Sequence, residues 1–233
     1  MAVVRILSAG AAQSVVEQVA RAYTGATGNG IKAEFGAVGA MQARVIDGEA
    51  VDVIVLTAAL IDEFVAAGHV APGTRADLGT VGTGVAVRFG TPLPDVSSKR
   101  TLRGNLLAAK TIVCPDPAIA TAGKVVMRAV KELGIVKQAQ PKLRHFPNGH
   151  AAMKWLAEST GLLEIGITQV TEIRAYPGVT YVGPLPGDLQ VRTLYAAGLA
   201  ARAAEPKAGA EFVDRLTSPA TRSILANAGY EFD

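Results

Sequence analysis

Apolar residues along this chain fall into two textures, short β-branched runs and longer stretches with apolar positions three and four apart. Val3-Val4-Arg5-Ile6-Leu7 is the first run and predicts a buried strand. After the small residues Ser8-Ala9-Gly10-Ala11-Ala12, Val15, Val16, Val19, Ala20 and Tyr23 recur at helical spacing with polar residues between them. The alternation then repeats. Ile31–Phe35 is a second strand, Gly36-Ala37-Val38-Gly39-Ala40 a second bare loop, and Met41–Asp47 a helix stopped by Gly48. Val51–Leu56 is a third strand, with Thr57 placed to cap the helix Ala58–Ala67.

The texture changes after that. Pro72–Thr83 is loop-rich, and Gly84–Arg88 is a strand that crosses into a second lobe. There the strands are Thr111–Cys114, Leu143–Phe146, Leu163–Thr168 and Val179–Val182. Helices follow from Thr121, which is placed to cap one, and from Asn148-Gly149-His150; a short one follows Gln169. Val191–Leu199 returns to the first lobe, and two helices, Lys207–Leu216 and Pro219–Ala228, close the chain. No sequence repeat is visible. The repeated βα order predicts open, mostly parallel sheets flanked by helices in two lobes, residues 1–83 with 190–233 and residues 84–189. Two crossings leave a ligand cleft at the switch between such sheets.

Composition narrows the class. With 49% hydrophobic and 18% charged residues, the 233-residue chain has ample material for a core. A net charge of +3 is too mild to point to nucleic acid. Between Lys124 and Lys154, seven cations stand against Glu132 alone, a segment that attracts anions or presents a solvated face. No apolar run is long enough to span a bilayer. The beginning carries neither a basic region nor a cleavage site, so the chain is expected to be periplasmic if a signal peptide has been removed and cytoplasmic otherwise. A single Cys114 excludes an internal disulfide. HExxH, Walker, GxSxG and Cys/His ligand patterns are all missing, so no metal and no cofactor is expected.

Ile6-Leu7-Ser8-Ala9-Gly10-Ala11, Phe35-Gly36-Ala37-Val38-Gly39, Gly48–Val53, Pro115-Asp116-Pro117 with Ala122-Gly123, Gly166-Ile167, and the ending Phe212-Val213 through Ala228-Gly229-Tyr230 occur in a telling order. With them the chain resembles the type II periplasmic solute-binding proteins of ABC importers, most closely the molybdate-binding branch. The resemblance implies a two-lobed monomer that closes on a small anion and docks on an ABC permease. It also implies departures. Ala11 and Val38 stand where molybdate binders carry hydroxyl groups, and Gln169 stands in place of a tyrosine. A dianion stripped of water needs nearly all its oxygens hydrogen-bonded, so these changes argue for a carboxylate over molybdate.

The expected binding residues are therefore Ser8, Ala9, Gly10, Ala11, Ala12, Val38, Gly39 and Ala40 from the first lobe. Thr121, Ala122, His150 and Gln169 are those of the second. Backbone N–H groups at helix starts favour negative charge, and His150 can carry charge near neutrality. Arg44, Lys154, His69, Trp155 and Met153 fit surface or core roles, and Asp52 a cap or pair. The function expected is that of a solute-binding protein for an oxyanion or small carboxylate. The alternative is an isomerase of an unsaturated polycarboxylate, with His150 beside Ser8 or Thr121 as its acid–base pair.

Overall fold

A computed structural model describes residues 1–232. The chain divides into two compact units, Met1–Val81 with Thr193–Asp233, and Gly82–Arg192. In chain order the elements are β1 (Val3–Ala9), α1 (Gln13–Thr27), β2 (Gly30–Gly36), α2 (Val38–Ile46), β3 (Val53–Thr57), α3 (Ala58–Ala66) and β4 (Ala76–Arg88). Then come α4 (Lys99–Ala108), β5 (Thr111–Pro115), α5 (Thr121–Glu132), α6 (Val136–Ala139), β6 (Leu143–Phe146) and α7 (Gly149–Glu158). They are followed by β7 (Glu164–Gln169), α8 (Val170–Arg174), β8 (Val179–Pro184), β9 (Arg192–Leu199), α9 (Pro206–Leu216), α10 (Arg222–Ala228) and β10 (Tyr230–Glu231). This is the expected α/β architecture of mostly parallel strands flanked by helices.

In the first unit the strand order is β2-β1-β3-β9, with β1 parallel to β2 and β3, and β9 antiparallel to β3. In the second it is β6-β5-β7-β4, with β5 parallel to β6 and β7 and β4 antiparallel to β7, while β8 lies along the other side of β4. The two units thus share one topology, three parallel strands each feeding a helix and one returning strand. No sequence periodicity announces it, because only the burial pattern is repeated and not the residues.

Cores form where the alternation predicts. Tyr23 of α1 is fully buried, edge-on to Phe212 of α9 at 5.5 Å. Asp52 is buried too; its carboxylate accepts the Arg5 and Glu205 N–H groups at 2.7 and 2.9 Å, tying β1 to the approach to α9. In the second unit β5 shows the pleat directly. Ile112 and Cys114 face Leu102, Leu106, Val126 and Val130, whereas Val113 faces Met153, Leu156 and Ile173. Each fully buried aliphatic side chain contributes about 1.5–3 kcal/mol. Burial pushes the Cys114 thiol up to about 12, so it is an inert core residue.

Three local expectations need correction. The stretch 76–83, expected as loop, is the first half of the 13-residue strand β4. Its glycines serve close packing, since a Cβ on Gly82 would lie 2.9 Å from Gln190 Nε2 and one on Gly79 3.0 Å from the Glu231 carbonyl oxygen. Helix α2 starts at Val38 and not at Met41, because Met41 N–H already bonds the Ala37 carbonyl. Neither threonine caps its helix. Thr57 holds the N-cap position of α3 without a side-chain bond, and Thr121 lies one residue inside α5, whose N-cap is Ala120.

Candidate functional site

In the second unit the parallel strands β5, β6 and β7 run directly into α5, α7 and α8, so three helix starts gather at one edge of the sheet. Gly123, in the first turn of α5, lets that helix sit against the chain after β5. A Cβ there would lie 2.4 Å from the Pro115 carbonyl oxygen and 2.7 Å from the Pro117 nitrogen. Thr121 and the buried Ala122 are thereby held at this edge, with backbone N–H groups that the helix itself leaves unpaired. At α7 the Asn148 side chain accepts the Ala151 N–H at 2.8 Å, which fixes the helix start and places His150 in its first turn. The His150 ring lies 5.7 Å from that of Tyr176.

Behind His150 is a residue that the sequence reading missed. Glu172 of α8 is buried, and its carboxylate takes the Thr168 hydroxyl at 2.5 Å together with backbone N–H groups of Gln169 and Gly149. Burial raises its pKa, and the His150 charge and these donors pull the other way. Gly149 makes the approach possible, since a Cβ on it would lie 1.9 Å from Glu172 Oε2. Tyr176 is itself shifted up, by burial first and then by Glu158 and Glu172. The signal available in the sequence was the Thr168-to-Glu172 spacing of four across a strand-to-helix turn, and it is weak.

Gln169 is 2% exposed, yet neither its amide nitrogen nor its amide oxygen has a hydrogen-bond partner. It occupies the N-cap position of α8 without capping it. Directly opposite, in the antiparallel register of β4 and β7, stands Thr83, whose buried hydroxyl is also unpartnered. The Thr83 backbone is clamped by the Gln190 amide, with both bonds at 2.9 Å. Directly opposed residues project to the same face, so three buried polar atoms without partners are side by side. Leaving each unsatisfied costs roughly 1–3 kcal/mol, which a ligand offering both donors and acceptors would relieve.

The first unit presents a different edge. Ser8 ends in the buried part of β1 and spends its hydroxyl on the Ala9 carbonyl at 3.1 Å. Gly10, Ala11 and Ala12 form a buried 3-10 turn, and the Tyr230 hydroxyl reaches the Ala11 carbonyl at 3.4 Å. Val38, Gly39 and Ala40 are half-buried in the first turn of α2, where their N–H groups lack helical acceptors. Arg44, further along α2, is occupied by Glu34 and Glu49, which hold its pKa above the usual value. Within the basic stretch of the second unit, Arg128 donates to the Asp188 and Leu189 carbonyls, and Arg144 lies over Trp155. His69 packs edge-on against Phe64, and Met153 is core. Among the described residues no cluster of His, Cys, Asp and Glu suits a metal ion, and no helix is long and apolar enough to cross a membrane.

Strand-to-helix edges of this kind place unpaired backbone N–H groups where an anion can bind. The chain belongs to the family of bacterial extracellular solute-binding proteins, whose model matches residues 4–231. It is 29% identical over 232 residues to an aconitate isomerase of a Pseudomonas species, covering 96% of this chain and 86% of that protein. The periplasmic molybdate-binding protein of Azotobacter vinelandii superimposes with a TM-score of 0.82 at 20% identity, over 99% of each chain. A sulfate-binding protein of Mycobacterium tuberculosis gives 0.77 at 17% identity, over 99% of this chain and 86% of that one. At these identities the structural likenesses establish the fold alone.

Proposed function

We propose that this solute-binding protein takes a small polycarboxylate anion, recognised in its second unit by Gln169, Thr83, His150 and the first turns of α5 and α7. The observation that carries the reading is the fully unpartnered, buried amide of Gln169 beside the unpartnered hydroxyl of Thr83. A tetrahedral oxyanion such as molybdate offers acceptors only and would leave the Gln169 amide oxygen unsatisfied. A carboxylic ligand that also carries a hydroxyl or a protonated carboxyl group satisfies both ends. Taken by themselves, the helix starts of the first unit at Ala9–Ala12 and Val38–Ala40 also favour negative charge through their backbone N–H groups, and an ABC permease is the partner this role calls for.

A second reading is favoured by one arrangement, the buried Glu172 next to His150. An isomerase of an unsaturated polycarboxylate needs a group that takes a proton from carbon and returns it to another carbon, and an imidazole backed by a carboxylate can do both. The 29% identity to an aconitate isomerase supports this reading.

A thermal-shift screen with molybdate, sulfate, citrate, cis-aconitate and trans-aconitate tests the first reading, since a ligand bound only by the folded form raises the melting temperature. A rise with the carboxylates alone is the expected outcome, and a rise with molybdate alone would overturn it. Proton NMR of cis-aconitate incubated with the protein in D2O separates the two roles: trans-aconitate carrying deuterium means enzyme, and an unchanged spectrum means carrier.

A further inference from the structure

An apolar cavity of the second unit lies away from all of these residues. It has a volume of about 560 Å³ and is bounded by Arg88 at the end of β4, Lys110 just before β5, Ala108 at the end of α4, and the 161–165 stretch that opens β7. Those positions mark the N-terminal ends of β5 and β7, whereas Thr121, His150 and Gln169 mark the opposite edge. Its size falls in the range of small-molecule sites. The rim is unusually apolar for a surface. Leu162 and Leu163 of the lining, and Phe89 and Leu93 next in sequence to the lining residues Arg88, Pro92 and Pro94, are each more than 60% exposed, four of the five large hydrophobic residues so exposed among the described residues. Leu163 is also held at a left-handed φ of 58°, which a branched residue rarely adopts.

Two polar atoms in this lining specify a ligand. Arg88 Nε and Glu164 Oε2 are buried and lack hydrogen-bond partners. One is a donor and the other an acceptor. Extending the β4–β7 register two residues beyond Ala86↔Gly166 sets Arg88 opposite Glu164, so both belong to one pair on one face. A carboxylate would satisfy Arg88 but be repelled by Glu164, and an ammonium group the reverse. A carboxamide offers its oxygen to Arg88 and its N–H to Glu164 while remaining neutral.

We propose that this cavity is a second binding site, for a small amphipathic molecule with an apolar body and a carboxamide head held between Arg88 and Glu164. The test is a ligand-observed NMR titration of the full chain with 4-phenylbutanamide, 4-phenylbutanoate and 4-phenylbutylamine. The amide is expected to bind at least tenfold more tightly than either charged analogue. Ala108→Trp, at an exposed position on the cavity mouth, should abolish amide binding with an unchanged melting temperature. Arg88→Met should weaken it at least fivefold. Equal binding of the three probes, absence of saturable amide binding, or an Ala108→Trp variant that binds as the parent does would overturn the proposal. Retained response of Ala108→Trp to the polycarboxylate screen keeps the two sites distinct.

Discussion

Two units of one chain share a strand order and differ at the edge where their helices start. In the first, β1, β2 and β3 end in Ala9, Gly36 and Thr57, and none of the helix starts that follow is capped by a side chain. That edge offers backbone N–H groups and almost nothing else. In the second, the equivalent edge carries an asparagine cap, a histidine, a buried glutamate and a buried amide left without partners. The same topology therefore supplies generic anion attraction in one unit and chemical discrimination in the other. Fold and selectivity are separable here, since helix starts follow from strand order and discrimination follows from a few side chains set on them.

Substitutions that break this contrast have graded effects. The largest is expected at the glycines that permit close approach. Gly149→Ala drives a methyl group into the Glu172 carboxylate and the Thr168 hydroxyl, 1.9 and 2.2 Å from the new carbon, and should cost about 3 kcal/mol by overpacking. Gly36→Ala in the first unit meets only the flexible end of Met41, at 2.7 Å, and should cost less than about 1 kcal/mol in the same urea titration.

Next comes Gln169→Leu, which removes two unsatisfied buried polar atoms. The unliganded protein should melt at an equal or higher temperature, by up to about 2 kcal/mol of added stability, while polycarboxylate affinity falls at least tenfold. Loss of stability together with unchanged affinity would show that Gln169 serves the fold alone. His150→Gln should weaken polycarboxylate binding at neutral pH by about 1 kcal/mol, roughly fivefold, read by calorimetry.

Glu172 predicts a pH dependence with a definite sign. Its folded pKa lies above that of the unfolded chain, chiefly because of burial. Between those two values the folded state holds the proton that the unfolded state has released, so stability falls as pH rises through the window. Below the unfolded value the penalty is gone. Glu172→Gln should flatten that part of the stability–pH curve, measured by urea unfolding across the acidic range. The smallest effect is expected on the first unit's surface, where Arg44→Met removes a solvent-accessible ion pair with Glu34 and Glu49 and should leave polycarboxylate affinity unchanged.

Much of the fold was legible because strands such as Val53–Thr57 and helices such as α1 bury a single face, and periodicity reports that face directly. The first half of β4 was not legible, since its glycines suit a close neighbour that no local pattern reveals. Helix starts were misplaced by a few residues at Val38 for a related reason. Small residues without a capping side chain look the same in a loop and in a first turn. At the candidate site, Gln169 was singled out through the resemblance, as the residue in place of a tyrosine, and His150 as a histidine at a helix start. Glu172 and Thr83 did not, because burial of a polar side chain is a tertiary property: an acid on a short helix looks solvated until the chain folds around it. The shared topology of the two units was likewise hidden, being carried by strand pairing and not by residue identity.

The most direct test of the central claim is calorimetry of the parent and Gln169→Leu proteins with cis-aconitate and with molybdate. Binding of cis-aconitate by the parent, at least tenfold weaker in Gln169→Leu, together with no detectable heat from molybdate in either, is the predicted result. Tight molybdate binding that Gln169→Leu leaves unchanged would contradict the account, since recognition would then rest on backbone N–H groups alone.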